Sequence, residues 1–366
     1  MHTVLVLGGY GHFGAKICRA LADEPEIRLL IAGRRLIKAQ RFAVELGLSA
    51  RRGLYLDAGS PSLSGELQSL GVDTLIHAAG PFQGQDHPVA RACIEAGCNY
   101  IDLADNRDFV ASISQLNISA RVADILVTSG ASSSPALSAA VVGHFLPEFS
   151  RLESIHHTSV ASARTPGLAS LQTALSYCGK AFKRPQEGRL QTVFGWQSLH
   201  SRIYPQSVGK RWLANCDSPD LVLFPQHYAD VKTVTCQAGL SNPVLQLAIW
   251  ALSWPGRWGW LKNPAVFAKP LRWLGLWLES LGSTDSAMHM TLIGLDLNGQ
   301  PLTRTWHLLV SNHQGPQIPC GAVIALTRRL IRGDAVPKGA MPCIGLLTLE
   351  EYLSALSELE IIQLLN

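Results

Sequence analysis

Apolar residues in the first third of the chain alternate between two spacings, one typical of buried strands and one typical of helices. Residues 3–7 form an apolar run that leads into a glycine-rich turn, and Phe13, Ile17 and Leu21 then recur at helical spacing. Strand-length runs follow at 28–32, 54–57, 74–79, 100–103 and 125–128, separated by helical patterns at 37–46, 62–70, 88–96 and 108–123. Apolar strands between helices predict a doubly wound parallel sheet covered on both faces, which is a Rossmann-type α/β domain.

The alternation ends near Ser132, and the rest of the chain mixes strand and helix patterns. Two apolar runs flank the pair Asn298-Gly299, which predicts a β-hairpin. Strand-like runs occur at 152–160, 191–196, 221–224, 231–237, 288–297 and 302–311, and helical patterns at 168–182, 243–281, 321–332 and 349–359. These patterns predict a second domain of the α+β class, with a mixed or antiparallel sheet.

The glycine turn after the first strand has a spacing with a well-defined physical use. Gly9-x-Gly11-x-x-Gly14 lies between a strand and a helix, as the dinucleotide-binding fingerprint requires. Gly9 permits the tight turn, Gly11 lets the backbone approach a pyrophosphate, and Gly14 lets the helix pack close to the strand. The unpaired amides and the positive dipole end of the helix then bind the phosphates. We therefore assign the whole turn to a dinucleotide cofactor site: Gly9, Tyr10, Gly11, His12, Phe13 and Gly14.

The second predicted strand ends in Gly33-Arg34-Arg35, where the adenosine ribose of a bound dinucleotide lies. NAD-specific sites place an acidic residue there, whereas an arginine suits the 2′-phosphate of NADP. No Asp or Glu occurs from residue 28 through residue 44. The sequence therefore predicts NADP rather than NAD. The alternative is that the two arginines are only the solvated start of a helix.

The ends of the third and fourth strands supply further cofactor candidates. We assign Asp57 and the run Ala79-Gly80-Pro81-Phe82 to the same site. Small residues beside the first strand let a dinucleotide approach, and Phe82 can form a wall against the nicotinamide. An ordinary Gly-Pro turn is the alternative interpretation of this run.

Tyr100 and Asp102 lie two residues apart on the fifth strand, so their side chains face the same side of the sheet. Two polar groups on one side of a buried sheet need hydrogen-bond partners or a function. Either both groups bind a neighbouring loop, or they act in catalysis as proton donor and orienting group. We keep both interpretations and take Tyr100 and Asp102 as the catalytic candidates.

Several short motifs occur together in the first third of the chain. They are the glycine turn, Gly33-Arg34-Arg35, Gly80-Pro81-Phe82, Cys93-x4-Cys98-Asn99-Tyr100-Ile101-Asp102-Leu103 and Gly130-Ala131-Ser132-Ser133. In order and spacing they resemble the saccharopine dehydrogenase (saccharopine reductase-like) family. Where members of that family commonly carry Thr-Gly-Glu after the Tyr-x-Asp-Leu strand, this chain has Ala104-Asp105-Asn106, which argues against saccharopine itself as the substrate.

The resemblance implies an NAD(P)-binding Rossmann oxidoreductase whose second domain serves substrate binding and dimerisation. It also implies that the chain returns to the first domain at its end. We accordingly predict a first domain at 1–131 with a return at about 340–366, and a second domain at 132–339. A length of 366 residues suits two domains.

Composition and charge narrow the classes of function. Charged residues make up 16% of the chain, against about 25% in an average soluble domain, which indicates surface buried in an oligomer or against apolar material. The net charge of +4 is spread along the chain without a basic block, so we predict no nucleic-acid partner. The eight cysteines show neither C-x-x-C spacing nor a zinc pattern. We therefore predict no metal site, no signal peptide and a reducing, cytoplasmic location.

Six of the nine tryptophans lie between residues 250 and 277, interleaved with four basic residues. They are Trp250, Trp254, Trp258, Trp260, Trp273 and Trp277, with Arg257, Lys262, Lys269 and Arg272 among them. The apolar run at 244–255 is too short to span a bilayer. We favour a homodimer interface or core for this segment, and keep peripheral membrane contact through 243–281 as the alternative.

Two further candidates come from the second domain. Arg164 lies on a predicted loop, where a guanidinium can bind a substrate carboxylate, although a lone loop arginine is more often solvated. His156 and His157 point to opposite sides of a predicted strand, so they cannot share one site. A structural role fits these histidines better than a catalytic one.

Together these features predict an NADP-dependent oxidoreductase. We expect it to transfer a hydride to or from a C=N, C=O or C=C bond of a small-molecule or lipid-like substrate held between the domains. The alternative is a non-catalytic NADP-binding sensor or scaffold, because the sequence shows no complete acid–base pair. Substrate-dependent oxidation of NADPH would separate the two functions.

Overall fold

The computed structural model describes residues 1–162, 165, 167–205, 208–279 and 282–365. The chain forms two compact units, each built from two segments. The first unit comprises Met1–Ala140 and Gln317–Leu356, and the second comprises Val141–Pro316 and the residues from Ser357 onward.

The first segment alternates strands and helices, as its apolar pattern predicts. The strands are β1 (His2–Leu7), β2 (Ile27–Gly33), β3 (Gly53–Tyr55), β4 (Thr74–His77), β5 (Asn99–Asp102) and β6 (Leu126–Ser129). The helices are α1 (Gly14–Ala22), α2 (Leu36–Glu45), α3 (Leu63–Leu70), α4 (Pro88–Ala96), α5 (Arg107–Ser112), α6 (Asn117–Val122) and α7 (Ser138–Phe145). The single helix predicted at 108–123 is instead divided, because a 3₁₀ turn at Ile113–Leu116 separates α5 from α6.

The second unit contains longer strands and a mixed sheet. Its strands are β7 (Phe149–Ala161), β8 (Ala181–Gln186), β9 (Arg189–Phe194), β10 (His200–Tyr204), β11 (Gly209–Asn215), β12 (Thr233–Leu240), β13 (Ser286–Asp296) and β14 (Pro301–Val310). Its helices are α8 (Leu168–Ser176), α9 (Asp220–His227), α10 (Pro243–Arg257) and α11 (Ala268–Trp277). The predicted hairpin is confirmed, since β13 and β14 pair antiparallel and the Asp296 carboxylate accepts from the amides of Asn298 and Gln300, both at 2.8 Å.

Two predictions for the second unit are wrong. The run at 221–224, predicted as a strand, lies inside α9, because a short apolar run without alternation is equally compatible with a buried helix turn. The helix predicted to reach residue 182 ends at Ser176, because the chain next forms β8, which pairs antiparallel with β9.

The last segment of the chain contributes to both sheets. It contains α12 (Gly321–Arg332), β15 (Gly339–Pro342), α13 (Leu349–Ser354) and β16 (Ile361–Leu365). Strand β15 pairs parallel with β6, which completes a seven-stranded parallel sheet of order β15-β6-β5-β4-β1-β2-β3. Strand β16 pairs antiparallel with β14 in a mixed sheet of order β10-β11-β12-β7-β13-β14-β16. The predicted terminal helix is therefore shorter, and the chain after Ser357 belongs to the second unit.

The segment that rejoins the first unit starts at Gln317, before the predicted position of about 340. Its helix α12 packs against α1, and Arg328 donates a 2.7 Å hydrogen bond to Glu24 just after α1. The observed α/β plus α+β architecture agrees with the predicted fold class. Among the described residues, no helix combines the length and the apolar character needed to cross a membrane.

Candidate functional site

The glycine turn joins β1 to α1 at the carboxyl edge of the parallel sheet. The amides of Gly8 and Gly9 both donate to the carbonyl of Ala32 at the end of β2, at 2.8 and 3.2 Å. The Gly11 amide donates to the Gly8 carbonyl at 2.8 Å, and Gly8 itself has a left-handed φ of +85°. The turn that follows β1 is therefore tied to the neighbouring strand β2 before the helix begins at Gly14.

Each glycine of the fingerprint sits where a side chain would collide with backbone. A Cβ on Gly14 would lie 2.2 Å from the Gly8 carbonyl oxygen, and a Cβ on Gly11 would lie 2.9 Å from the same atom. A Cβ on Gly9 would lie 2.9 Å from the Val6 carbonyl oxygen. Compact backbone at the start of a helix lets phosphate oxygens approach the amides, so the turn fits a dinucleotide pyrophosphate.

Tyr10 connects the turn to the end of β2. A Cβ on Gly33 would lie only 2.7 Å from the Tyr10 hydroxyl oxygen, so the phenol ring occupies the space that Gly33 leaves open. The same hydroxyl accepts a hydrogen bond from the Arg35 amide at 3.0 Å. Arg34 and Arg35 are exposed at the start of α2, and neither makes an ion pair among the described residues. Both arginines therefore follow β2, where the sequence predicts a phosphate on the ribose, and their binding role stays a prediction.

The other predicted cofactor residues lie along the same edge of the sheet. A Cβ on Gly8 would lie 3.0 Å from the Ala79 amide nitrogen, so the chain after β4 passes directly beside the glycine turn. Gly80 and Pro81 are exposed there. After β3, half-buried Asp57 accepts a 3.1 Å hydrogen bond from the Gly59 amide.

Phe82 differs from its neighbours because its side chain is buried. Its ring lies 5.0 Å from the ring of His77 and 5.1 Å from that of Phe109. The ring of His87 in turn lies 4.2 Å from the ring of Phe109. Phe82 therefore helps to close the protein interior over the end of β4.

A buried hydrogen-bond network connects the ends of β4, β5 and β6. The Tyr100 hydroxyl lies 3.0 Å from Nδ1 of His77 on the neighbouring strand. Oδ1 of Asp102 accepts from the Ala104 and Gly130 amides and from the Ser129 hydroxyl, each at 2.9 Å. Asp102 therefore ties the loop after β5 to the loop after β6.

Burial shifts the ionisation of this network. It raises the pKa of Asp102 to about 6, although hydrogen bonds from the Gly130 and Ala104 amides and from Ser129 oppose the rise. Burial also lowers the pKa of His77 to about 4, and it raises the pKa of Tyr100 well above its usual value with help from the Asp102 charge. Tyr100 and Asp102 have at most 1% of their surface exposed. This geometry favours the structural alternative, and their catalytic role stays a prediction.

The histidines predicted on one strand of the second unit have separate partners on opposite faces of β7. His156 Nδ1 lies 2.7 Å from the Thr235 hydroxyl. His157 Nδ1 lies 2.8 Å from the Asp220 carboxylate, and its Nε2 lies 3.2 Å from the Ser159 hydroxyl. Both rings therefore take part in hydrogen bonds, as a structural role requires.

His157, Asp220 and Cys236 are the one group among the described residues whose ligand atoms lie close enough to hold a metal ion, within 4.8 Å of one another. Both ring nitrogens of His157 already have hydrogen-bond partners, so a metal would have to displace one of them. The expected absence of a metal stays a prediction. Arg164, the predicted substrate ligand, lies outside the described residues.

Sequence reasoning missed a second buried polar cluster in the second unit. The Tyr204 hydroxyl lies 2.8 Å from Nδ1 of His289, whose ring is 5.6 Å from that of His307. Burial, reinforced by Arg202 and His307, lowers the pKa of His289 to about 2, so this ring is neutral at physiological pH. Nε and Nη2 of buried Arg211 have no hydrogen-bond partner among the described residues. His289 and His307 lie opposite each other in the register of β13 and β14. The predicted hairpin and this pairing are the sequence features from which the cluster could have been predicted.

A parallel sheet with this glycine turn at its centre and arginines after β2 defines a dinucleotide-binding domain of the NADP type. Residues 4–133 match the sequence family described as the saccharopine dehydrogenase NADP binding domain. This segment therefore belongs to that family, which confirms the predicted resemblance and the predicted cofactor. None of the curated proteins matches the chain in sequence.

Solved structures extend the similarity of fold to the whole chain. Apo saccharopine dehydrogenase (L-Glu forming) from Saccharomyces cerevisiae superposes with a TM-score of 0.71, at 15% sequence identity and with 100% of each chain covered. An amine dehydrogenase from Mycobacterium smegmatis gives a TM-score of 0.50 at 11% identity, covering 96% of this chain and 95% of its own. Residues 4–133 therefore form an NADP-binding domain of the saccharopine dehydrogenase type, and the whole chain shares the fold of these dehydrogenases.

Proposed function

We propose that the chain transfers a hydride between NADP(H) and a small or lipid-like substrate that carries a C=N, C=O or C=C bond. The observation that carries the proposal is the glycine turn, because its backbone leaves no room for side chains and its Tyr10 hydroxyl accepts a hydrogen bond from the Arg35 amide after β2. Amides at the start of α1 would hold the pyrophosphate, and Arg34 with Arg35 would hold the 2′-phosphate. Bound NADPH supplies the hydride from its nicotinamide ring.

The substrate is the open part of this proposal. Ala104-Asp105-Asn106 replaces the family's Thr-Gly-Glu, which argues against saccharopine. The two structures of similar fold are named as saccharopine and amine dehydrogenases, which supports testing imines and secondary amines first. We take Arg211 as a candidate for binding a substrate carboxylate in the second unit, because its side chain is buried and Nε and Nη2 have no hydrogen-bond partner among the described residues.

The decisive experiment is substrate-dependent oxidation of NADPH by the purified chain. A panel of imines, ketones and enoyl compounds should reveal turnover that disappears when the glycine turn is disrupted. Arg211→Gln should raise KM for carboxylate-bearing substrates while leaving NADPH affinity unchanged. Tight binding of NADPH without turnover of any panel member would favour the alternative, a non-catalytic NADP-binding sensor or scaffold.

We also propose that the chain is a cytoplasmic homodimer. The low charged content of 16% supports a buried interface, and all eight cysteines are free, as in a reducing compartment. Light scattering at several protein concentrations would test the dimer, and a constant monomer mass would contradict it.

A further inference from the structure

Helices α10 and α11 and the segment between them, residues 243–278, form a helical hairpin that we name the tryptophan hairpin. Asn242 fixes its base, because its Oδ1 accepts from the Val244 and Leu245 amides while its Nδ2 donates to the Leu278 carbonyl. Helix α10 contains 15 residues and is therefore about 22 Å long. The segment that connects the helices lies at the far end of α10 from this base.

The inner side of the hairpin is already packed, so its tryptophans are not needed for the core. Leu245, Ile249 and Ala268 are buried in one cluster with Leu171 and Leu175 of α8. The outer side instead exposes four tryptophans: Trp258 (56% exposed), Trp260 (79%), Trp273 (70%) and Trp277 (73%). Exposed Val266, Phe267 and Leu276 extend this apolar surface. So many large apolar side chains exposed on one short segment are typical of an interaction site.

The tryptophans at the tip touch one another and do not fold inward. The rings of Trp254 and Trp258 lie 5.7 Å apart, and those of Trp258 and Trp260 lie 5.1 Å apart. Tryptophan is enriched at the boundary between water and lipid, since its ring is apolar and its N–H remains polar.

The charge of the hairpin is entirely positive. It contains Arg257, Lys262, Lys269 and Arg272, all exposed, and its sequence has no Asp or Glu between residues 243 and 278. Arg257 donates to Gln197 at 2.8 Å and stacks 4.2 Å above the Phe194 ring. Among the described residues, the other three form no ion pair. These three cations are interleaved in sequence with the exposed tryptophans.

This charge pattern distinguishes the two partners that an exposed tryptophan surface could bind, a second copy of the chain and a lipid surface. A twofold homodimer places the same patch on both subunits, so an interface centred here would bring like charges together. An anionic lipid surface offers the opposite charge along with a headgroup region that accommodates tryptophan. The lack of a spanning helix among the described residues is compatible with a hairpin that lies on the bilayer.

We propose that the tryptophan hairpin binds the headgroup region of an anionic bilayer, with its exposed tryptophans inserted and its free cations against lipid phosphates and carboxylates. Each cation near such a surface strengthens partitioning about fivefold, so Lys262, Lys269 and Arg272 together contribute on the order of a hundredfold. The inference does not rest on the proposed hydride transfer, because lipid binding is measured without cofactor or substrate.

The test is sedimentation of the full chain with vesicles of phosphatidylcholine, with and without phosphatidylserine. Binding to the mixed vesicles should be on the order of a hundredfold tighter and should shift tryptophan fluorescence to the blue. Lys269→Gln with Arg272→Gln should reduce binding to mixed vesicles by roughly 25-fold and leave binding to neutral vesicles unchanged. Trp258→Ser with Trp260→Ser should weaken binding to both vesicles.

Ile118→Ser is the matched control, because this side chain is 80% exposed on α6 of the first unit and should not change lipid binding. Thermal melting shows whether each variant is folded. No binding to either vesicle, or equal binding to both, overturns the proposal. If the wild type is a dimer that does not bind lipid, and Trp258→Ser with Trp260→Ser converts it to a monomer, then this surface binds a second copy of the chain.

Discussion

The carboxyl edge of the parallel sheet has two halves that look alike in sequence and differ in structure. After β1 and β2 the chain presents compact backbone, and two arginines extend into solvent. At the ends of β5 and β6 the polar side chains of Asp102 and Ser129 are completely buried and bind one another and nearby loops. The first half, which we call the open half, leaves backbone amides and arginines accessible, as anion binding requires. The second half, which we call the closed half, uses its polar side chains to hold its own loops together.

This difference shows how much of the function of a residue at a strand end can be predicted from the sequence alone. Glycine at fixed spacing acts through the backbone, and backbone geometry follows directly from the absence of Cβ. The role of a polar side chain depends instead on what covers it. Tyr100 belongs to the same buried cluster as Val89 and Cys93 of α4, and no local pattern around Tyr100 shows that this helix lies over it.

The largest expected effect comes from Gly11→Val in the open half. A side chain at this position meets the Gly8 carbonyl and occupies the space next to the phosphates. NADP affinity should fall by about a thousandfold or more, which corresponds to about 4 kcal/mol. Calorimetry measures the loss. Gly65→Ala on α3 is the control and should bind NADP normally, because a Cβ there meets nothing within 4 Å. If Gly11→Val binds NADP as tightly as the wild type, the turn is not the pyrophosphate site.

The comparison also shows where sequence reasoning works. Nearly all elements before residue 130 are predictable because each buried strand is a continuous apolar run and each helix has a periodic face. Strands β8, β10, β11, β15 and β16 are not predicted, since their pairing partners are distant in sequence or their residues are mixed in polarity. His77 was missed for a related reason: a single histidine on an apolar strand carries no motif, and its importance comes from Tyr100 on the next strand.

A second prediction concerns the charge of Asp102 in the closed half. Its pKa in the folded protein is about 6, above its usual value of 3.8, so folding favours the protonated form. The associated stability is fully present below about pH 4 and is lost as the pH rises through 6. Compared with Asp102→Asn, the wild type should lose about 2–3 kcal/mol of unfolding free energy between about pH 4 and pH 7.

Urea unfolding of both proteins across this pH range measures the difference. Asp102→Asn keeps the size of the side chain and one oxygen acceptor but removes the ionisation. If the two proteins show parallel pH profiles, Asp102 does not titrate as a buried group, and the contrast between the two halves of the edge is weaker than the structure indicates.

A third prediction returns to the open half and concerns the choice of cofactor. Charge-assisted hydrogen bonds contribute about 1.5–3 kcal/mol, so Arg34→Ala should weaken NADP binding roughly ten- to a hundredfold and leave NAD binding nearly unchanged. Arg41→Ala, an exposed arginine on the same helix, is the control and should change neither. Equal loss of NADP and NAD affinity in Arg34→Ala would mean that Arg34 supports the turn and does not select the 2′-phosphate.

The smallest expected effect is that of Tyr100→Phe, and it decides between the two roles of the closed half. The variant removes only the hydroxyl, which leaves Nδ1 of His77 buried without its 3.0 Å partner. An unsatisfied buried group costs about 1–3 kcal/mol, so a structural Tyr100 predicts a lower melting temperature and unchanged specific activity. A catalytic Tyr100 predicts the opposite, a large fall in turnover with little change in melting. Tyr55→Phe is the control, because this tyrosine is 58% exposed at the end of β3 and its hydroxyl should contribute less than about 0.5 kcal/mol. Because both readouts are measured on the same variant, a stability loss with full activity identifies the network as part of the scaffold beside the cofactor site.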